Sequence, residues 1–170
     1  MNPDDYRPDI VHQALLAILS SALCLAGRVS AIFIRTGEGI LIKVDPQTRI
    51  PKTFGNFCNM MVELLQKSSI KSKDNEGKLL KLIQNPVTQH LPANSLKIGL
   101  SFNSPKTVKI RDFVAANCDK NLVFVVGAMP HGNIDADYID DFIPVSGYPP
   151  SADTCLYRIC DALESNWKIF

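Results

Sequence analysis

Residues 122–129, "LVFVVGAM", run eight positions without a charged or strongly polar side chain. The run is too short for a typical helix and rich in β-branched and aromatic residues, so it reads as a strand. An apolar run without alternation suits a central parallel strand covered on both faces. Parallel strands cannot be joined by tight turns, and each needs a crossover, usually a helix. One such strand commits the chain to a layered α/β architecture.

The other elements agree. A helix is expected from Ile10 to Leu23, with Asp9 as N-cap, Pro8 before it and Gly27 at its exit. Its apolar residues surround nearly the whole circumference, which predicts burial on most sides. "RVSAIFI" (28–34) and "ILIKV" (40–44) flank "RTGEG" and predict a hairpin. Phe54, Phe57, Met61, Leu64 and Leu65 recur at helical spacing, predicting a helix over 53–68. "LLKLI" (79–83) fits either a strand or a short helix. "KIGLSF" (97–102) is a strand, "IRDFVAANC" (110–118) a short helix, and "DDFIPVS" (140–146) contains a short strand. The last helix is expected over 151–167, capped by Ser151. The sum is one α/β domain over 1–170, a mostly parallel sheet flanked by helices with the hairpin as an extension.

With 46% hydrophobic and 21% charged residues, the chain has the composition of an ordinary globular domain. "ALLAILSSALCLAG" (14–27) is too short to span a bilayer and is interrupted by Ser20 and Ser21. The residues before it carry three Asp and one Arg, the opposite of a basic leader, so no membrane or targeting segment is expected. Five cysteines without a CxxC, and three histidines far apart, argue against a metal site and for reduced, mostly buried thiols in a reducing compartment.

Net charge is only +1, but it is unevenly spread. Residues 43–81 hold eight Lys/Arg against four Asp/Glu, and residues 130–170 hold two against seven. The basic middle is able to face a polyanion, although solvated faces are the plainer explanation. "RIPKTFGNF" (49–57) sharpens the point. Arg49 and Lys52 sit just before a helix whose N-terminus is already positive, which costs about 0.3–1 kcal/mol per charge. An anion bound there removes the conflict.

Two loops fit the rule that α/β sheets bind ligands outside the carboxyl ends of their strands. In "VVGAMPHGN" (125–133), Gly127 and Gly132 bracket the turn leaving the apolar strand. In "VSGYPPSA" (145–152), Pro149 and Pro150 stiffen the path into the last helix. Neither is a dinucleotide or phosphate loop.

Together and in this order, "RPDIVHQALL", "GILIKVDPQTRIPKTFGNF", "KLLKLIQNPVTQHLP", "VFVVGAMPHG" and "SGYPPSA" resemble the small-subunit rRNA pseudouridine-N1-methyltransferases, ribosome-biogenesis proteins of the SPOUT class, eukaryotic branch. The resemblance runs from about Arg7 to the C-terminus. It implies a deep trefoil-knotted α/β fold, a homodimer, S-adenosylmethionine as methyl donor, and methylation of N1 of one pseudouridine in small-subunit rRNA. A nucleolar or nuclear location follows for a eukaryotic chain, with other small-subunit assembly factors or ribosomal proteins as partners. Carried over by position, the cofactor residues are Leu100, Gly127, Gly132, Val145, Ser146, Gly147, Tyr148, Pro149 and Pro150. Arg7 and Asp9 match the arginine and aspartate that the family uses at the RNA and the reacting base.

Of three family arginines in the basic segment, Arg49 matches the first, while Lys52 and Asn56 replace the others. Lysine keeps charge but loses the two-pronged phosphate grip, and asparagine loses the charge. Only six residues precede Arg7, where the family carries a longer segment with the first strand of the sheet. Either another segment replaces that strand, or the sheet is one strand short, or the chain is a fragment. These departures define an alternative: a catalytically weak or inactive RNA-binding assembly factor of the same fold.

In the expected chemistry the protein mainly positions donor and acceptor. Asp9 serves either as the base that takes the N1 proton or as the group that holds Arg7 against a uracil carbonyl. The second role is favoured, because a carboxylate beside an arginine is held in its charged form and is a weak base. Tyr148 and Phe54 are aromatic candidates for stacking on a flipped base, with core packing as their plainer role.

Overall fold

The computed structural model describes residues 8–71, 78–101, 109–127, 137–144 and 151–169. The chain is α/β, with a parallel sheet and flanking helices beside a four-stranded antiparallel sheet.

Helix α1 (Pro8–Leu19) starts earlier than expected. Pro8 therefore occupies the first helical position, where its missing N–H costs nothing. Asp9 lies inside the first turn rather than at the cap. The expected long helix ends at the serine pair. Ser20 and Ser21 hydroxyls donate back to Leu16 O and Ile18 O, both at 2.6 Å. Ser21 then opens a short helix α2 (Ala22–Leu25) by accepting from Cys24 N. Polar hydroxyls competing for helix carbonyls explain the break. Gly27, at φ +75°, provides the exit.

The hairpin β1 (Ile32–Arg35) and β2 (Leu41–Val44) forms as expected. After α3 (Phe54–Lys67), β3 (Ser69–Lys71) and β4 (Lys78–Ile83) complete the antiparallel sheet in the order β1-β2-β4-β3. The hairpin is thus half of a larger sheet, and the ambiguous 79–83 run is a strand. Every second residue faces one core: Ile32, Val44 and Leu80 pack with Leu15 of α1 and with Phe57 and Leu64 of α3. Ser68 ends α3 with left-handed backbone, φ 66°.

The second sheet is parallel, with β5 (Ser95–Ser101) between β6 (Asn121–Val125) and β7 (Asp141–Pro144). Helix α4 (Ile110–Ala116) covers it by packing Phe113 on Ile98 and Ile143, and α5 (Ala152–Asn166) packs behind α4 through Ile159 and Leu163. This corrects the reading of 122–129. Among the described residues β6 is an edge strand, and its partners α4 and α5 meet Leu122 and Phe124 on one face. Val123 and Val125 line the other face beside Gly99 and Phe142. Apolar character on both sides of a strand does not specify which neighbours arrive.

Helix α1 also lies along α5, so it is enclosed by the antiparallel sheet on one side and the C-terminal helix on the other. Leu23 N donates to Glu164 Oε1 at 2.9 Å, and the Arg28 guanidinium sits 4.2 Å over the Trp167 ring. Ser151 is the N-cap of α5 by position, but its hydroxyl pairs with Thr154 Oγ1 rather than capping a backbone N–H. No helix among the described residues is long and apolar enough to cross a membrane.

Candidate functional site

The first feature is the carboxyl edge of the parallel sheet. Its strands run the same way, so Ser101, Val125 and Pro144 end at one side. Leu100 is half-buried one residue before the end of β5 and pairs with Ile143. Gly127 is exposed two residues past the end of β6. Neighbouring strands lie roughly 4.8 Å apart, so these two positions sit close together at the carboxyl edge, the side on which such sheets take ligands. Gly132 and the run Val145, Ser146, Gly147, Tyr148, Pro149 and Pro150 lie outside the described residues.

Gly99 keeps this edge tight. A Cβ there would meet Phe142 Cε1 at 2.6 Å, Phe142 Cδ1 at 2.8 Å and Ile139 Cδ1 at 3.1 Å. The Phe142 ring therefore lies directly on the β5 backbone before Leu100. Sequence reasoning singles out neither residue. The one available signal is a glycine inside an apolar strand, which marks close approach by another group.

The second feature is the loop from Asp45 to Thr53. Asp45 N donates to Leu79 O at 2.8 Å, and its carboxylate accepts from Gln47 N at 2.8 Å, a side-chain-closed turn. Thr48, only 4% exposed, donates its hydroxyl to Leu79 O at 3.1 Å. Ile50 is buried in the core. Arg49, between these two anchors, is exposed, as are Lys52 and Asn56. Neither Arg49 nor Lys52 has a carboxylate partner among the described residues. Two cations thus stand on a pinned backbone with no carboxylate paired to them among the described residues.

His12 locks this loop to α1. The ring is 1% exposed, and its Nε2 lies 2.7 Å from Pro51 O. A carbonyl only accepts, so Nε2 carries the hydrogen and Nδ1 is left as an acceptor. That Nδ1 is buried without a hydrogen-bond partner. The ring stacks on Phe57, with centroids 4.6 Å apart, and tilts against Phe54 at 6.0 Å. Phe54 keeps 42% of its surface exposed, so it is not the core residue expected for it. Asp9, exposed and one turn before His12, lies in the first turn of the same helix. Its negative charge suits the positive end of the helix. Arg7 lies outside the described residues. The structure thus brings the basic loop to the helix that carries Asp9, through a histidine that sequence reasoning considers only as a metal ligand.

Burial sets the thiols apart. It pushes Cys160 above its ordinary range despite a hydrogen bond with Ser21, and does the same to Cys24 and Cys155. Cys118 is exposed.

The fold has a solved counterpart. The crystal structure of Archaeoglobus fulgidus Nep1 bound to S-adenosylhomocysteine superposes with a TM-score of 0.78 at 18% identity, covering 99% of this chain and 76% of that one. Sequence relatives are nearer. The ribosomal RNA small subunit methyltransferase nep-1 of Caenorhabditis elegans is 42% identical over 99% of this chain and 72% of its own length. The human ribosomal RNA small subunit methyltransferase NEP1 is 41% identical over 99% of this chain and 68% of its own. An archaeal relative from Sulfurisphaera tokodaii is 30% identical over 92% of this chain and 69% of its own length. Residues 1–164 match the family described as EMG1/NEP1 methyltransferase, from before the α1 helix to the end of α5's core stripe. With the same fold, the same motif order and that span, the chain belongs to the EMG1/NEP1 methyltransferase family.

Proposed function

We propose that this chain is an S-adenosylmethionine-dependent methyltransferase of small-subunit ribosomal RNA, acting on N1 of one pseudouridine during small-subunit assembly. The observation that carries the reading is the His12–Pro51 lock, which joins the exposed cations Arg49 and Lys52, unpaired with any carboxylate among the described residues, to the helix that carries Asp9 in its first turn. RNA phosphates are a counter-charge that these cations fit.

The carboxyl edge of the parallel sheet fits the methyl donor. It offers a half-buried apolar side chain at Leu100, an exposed backbone without a Cβ at Gly127, and the strand ends at which such sheets take ligands. S-adenosylmethionine supplies an electrophilic methyl group there. Gly132 and residues 145–150 are proposed to complete the pocket. The chain's own residues position the acceptor: Arg49 and Lys52 hold phosphates, and the exposed edge of Phe54 offers a surface to a base. Asp9 is proposed to orient Arg7, which stabilises charge on the uracil as the N1 proton leaves. Asp9→Asn tests this. A modest loss of rate fits orientation, and a loss of several decades with intact RNA binding makes Asp9 the base. The family reading further proposes a trefoil knot, a homodimer, a nucleolar location and other assembly factors as partners.

The deciding experiment is methyl transfer to a small-subunit rRNA hairpin carrying pseudouridine, with a uridine hairpin as control. Methylation of the pseudouridine hairpin alone is expected, and activity on uridine alone refutes the substrate. The replacement of two arginines by Lys52 and Asn56 favours a second reading, an RNA-binding assembly factor without turnover. Calorimetry separates the two: micromolar S-adenosylmethionine binding without transfer supports the factor.

A further inference from the structure

The antiparallel sheet has a second face, turned away from α1 and α3. Strand register places Phe33, Lys43, Lys81 and Ser69 in one row across β1, β2, β4 and β3. Arg35 lies two residues along the same face and is exposed. Lys43 and Lys81 are direct cross-strand neighbours. Such pairs hold their Cβ atoms about 4.5–5.5 Å apart, and like charges so placed oppose the sheet. Both lysines are half-buried, and no carboxylate pairs with either among the described residues. The row ends in an aromatic pair. The His90 ring lies 6.1 Å from that of Phe33, and its Nε2 is held at 2.7 Å by Gln84 O. Asn85 Nδ2 donates to Gly39 O at 2.6 Å, tying this turn to the hairpin.

We propose that this face is a second RNA-binding surface, taking phosphates of single-stranded RNA on Lys43, Lys81 and Arg35 and a base on Phe33. The proposal rests on the rRNA reading above and extends it to sequence flanking the modified loop. The row is cationic and ends in a half-buried ring, although Leu41, beside Arg35 on this face, is buried. Proteins hold single strands with phosphates along the charges and bases on an aromatic face. A polyanion also removes the Lys43–Lys81 repulsion, which nothing else described does. Lys43 is six residues before Arg49, so the two are at most about 21 Å apart along the chain. One strand of a few nucleotides reaches from the basic loop onto the sheet.

The test compares two RNAs by fluorescence anisotropy across a salt series: the pseudouridine hairpin alone, and the same hairpin with a single-stranded extension of about ten nucleotides. Lys43→Glu turns a Lys–Lys pair into a Glu–Lys pair, so its melting temperature is expected at or above wild type. The variant should lose the affinity gained from the extension, with the salt slope lowered by about 0.7 or more for each phosphate no longer neutralised. Lys81→Gln should behave likewise, and Phe33→Leu should weaken the extended RNA about fivefold or more without changing the slope. Hairpin binding should hold in all three. An unchanged slope on the extended RNA in the lysine variants, equal losses on both RNAs, or equally strong displacement by poly-glutamate overturns the proposal. Wild-type protein that binds neither RNA overturns the rRNA reading itself. Binding that depends on Arg49 but ignores Lys43 and Lys81 overturns only the second surface.

Discussion

His12 on α1 and Pro51 in the basic loop are joined by a 2.7 Å hydrogen bond, made by a ring that stacks on Phe57 and is shut off from solvent. This bond sets where Arg49 and Lys52 stand relative to Asp9. His12→Ala leaves Pro51 O unpaired and opens a cavity, with an expected loss of about 2–4 kcal/mol in urea unfolding. His12→Gln keeps an N–H donor and should recover part of that loss and most of the RNA affinity. If the two variants bind RNA equally weakly, the bond is not what orders the loop.

The basic segment predicts two different gains. Lys52→Arg adds a two-pronged grip without new charge, so RNA affinity should rise a few-fold at an unchanged salt slope. Asn56→Arg adds a charge on the exposed first turn of α3, so the slope should steepen by roughly 0.7–0.9. It should also cost about 0.3–1 kcal/mol in the free protein, because it adds a cation at a helix N-terminus. Salt-titrated binding and thermal melts together check both.

Gly99→Ala drives a methyl group into the Phe142 ring. The ring belongs to β7, so relief requires β7 or the β5 backbone to shift beside Leu100. A loss of about 1–3 kcal/mol is expected. Calorimetric affinity for S-adenosylmethionine should fall in the same variant, while RNA binding at the basic loop stays near wild type.

The buried thiols give a signed pH dependence. Burial raises the pKa of Cys24, Cys155 and Cys160 above the ordinary thiol value of 9.0. The unfolded chain thus loses these protons first as pH rises. Their contribution to stability is present below about pH 9 and is lost as pH climbs through the raised values. Unfolding free energies measured from pH 7 upward should fall beyond pH 9. The fall should be shallower in Cys160→Ala.

Much of this arrangement is legible in the residues because local chemistry dictates it. The 53–68 helix, the hairpin and the carboxyl-edge position of Gly127 follow from periodicity, turn chemistry and strand direction, whereas Leu100 is singled out only by the family resemblance. Other features depend on distant partners. The break at Ser20–Ser21 is settled by hydroxyl competition within an apolar run. The edge position of β6 depends on which strands reach β5, which no local pattern encodes. His12 looks like any histidine on an apolar helix, and only the arrival of Pro51, 39 residues later, gives it a task. The facing of Lys43 by Lys81 is likewise a matter of register.

Glu164 accepts from Leu23 N across 141 residues, and α1 lies along α5 for much of its length. Helix α1, which carries Asp9, is synthesised well before its packing partner, whose Glu164 lies 141 residues after Leu23. Closing so long a loop is entropically costly before any contact rewards it, and such topologies fold slowly. Until α5 arrives, α1 presents an apolar flank with nothing to cover it. A vulnerable interval for the chain is therefore the time between making α1 and making the helix that shelters it.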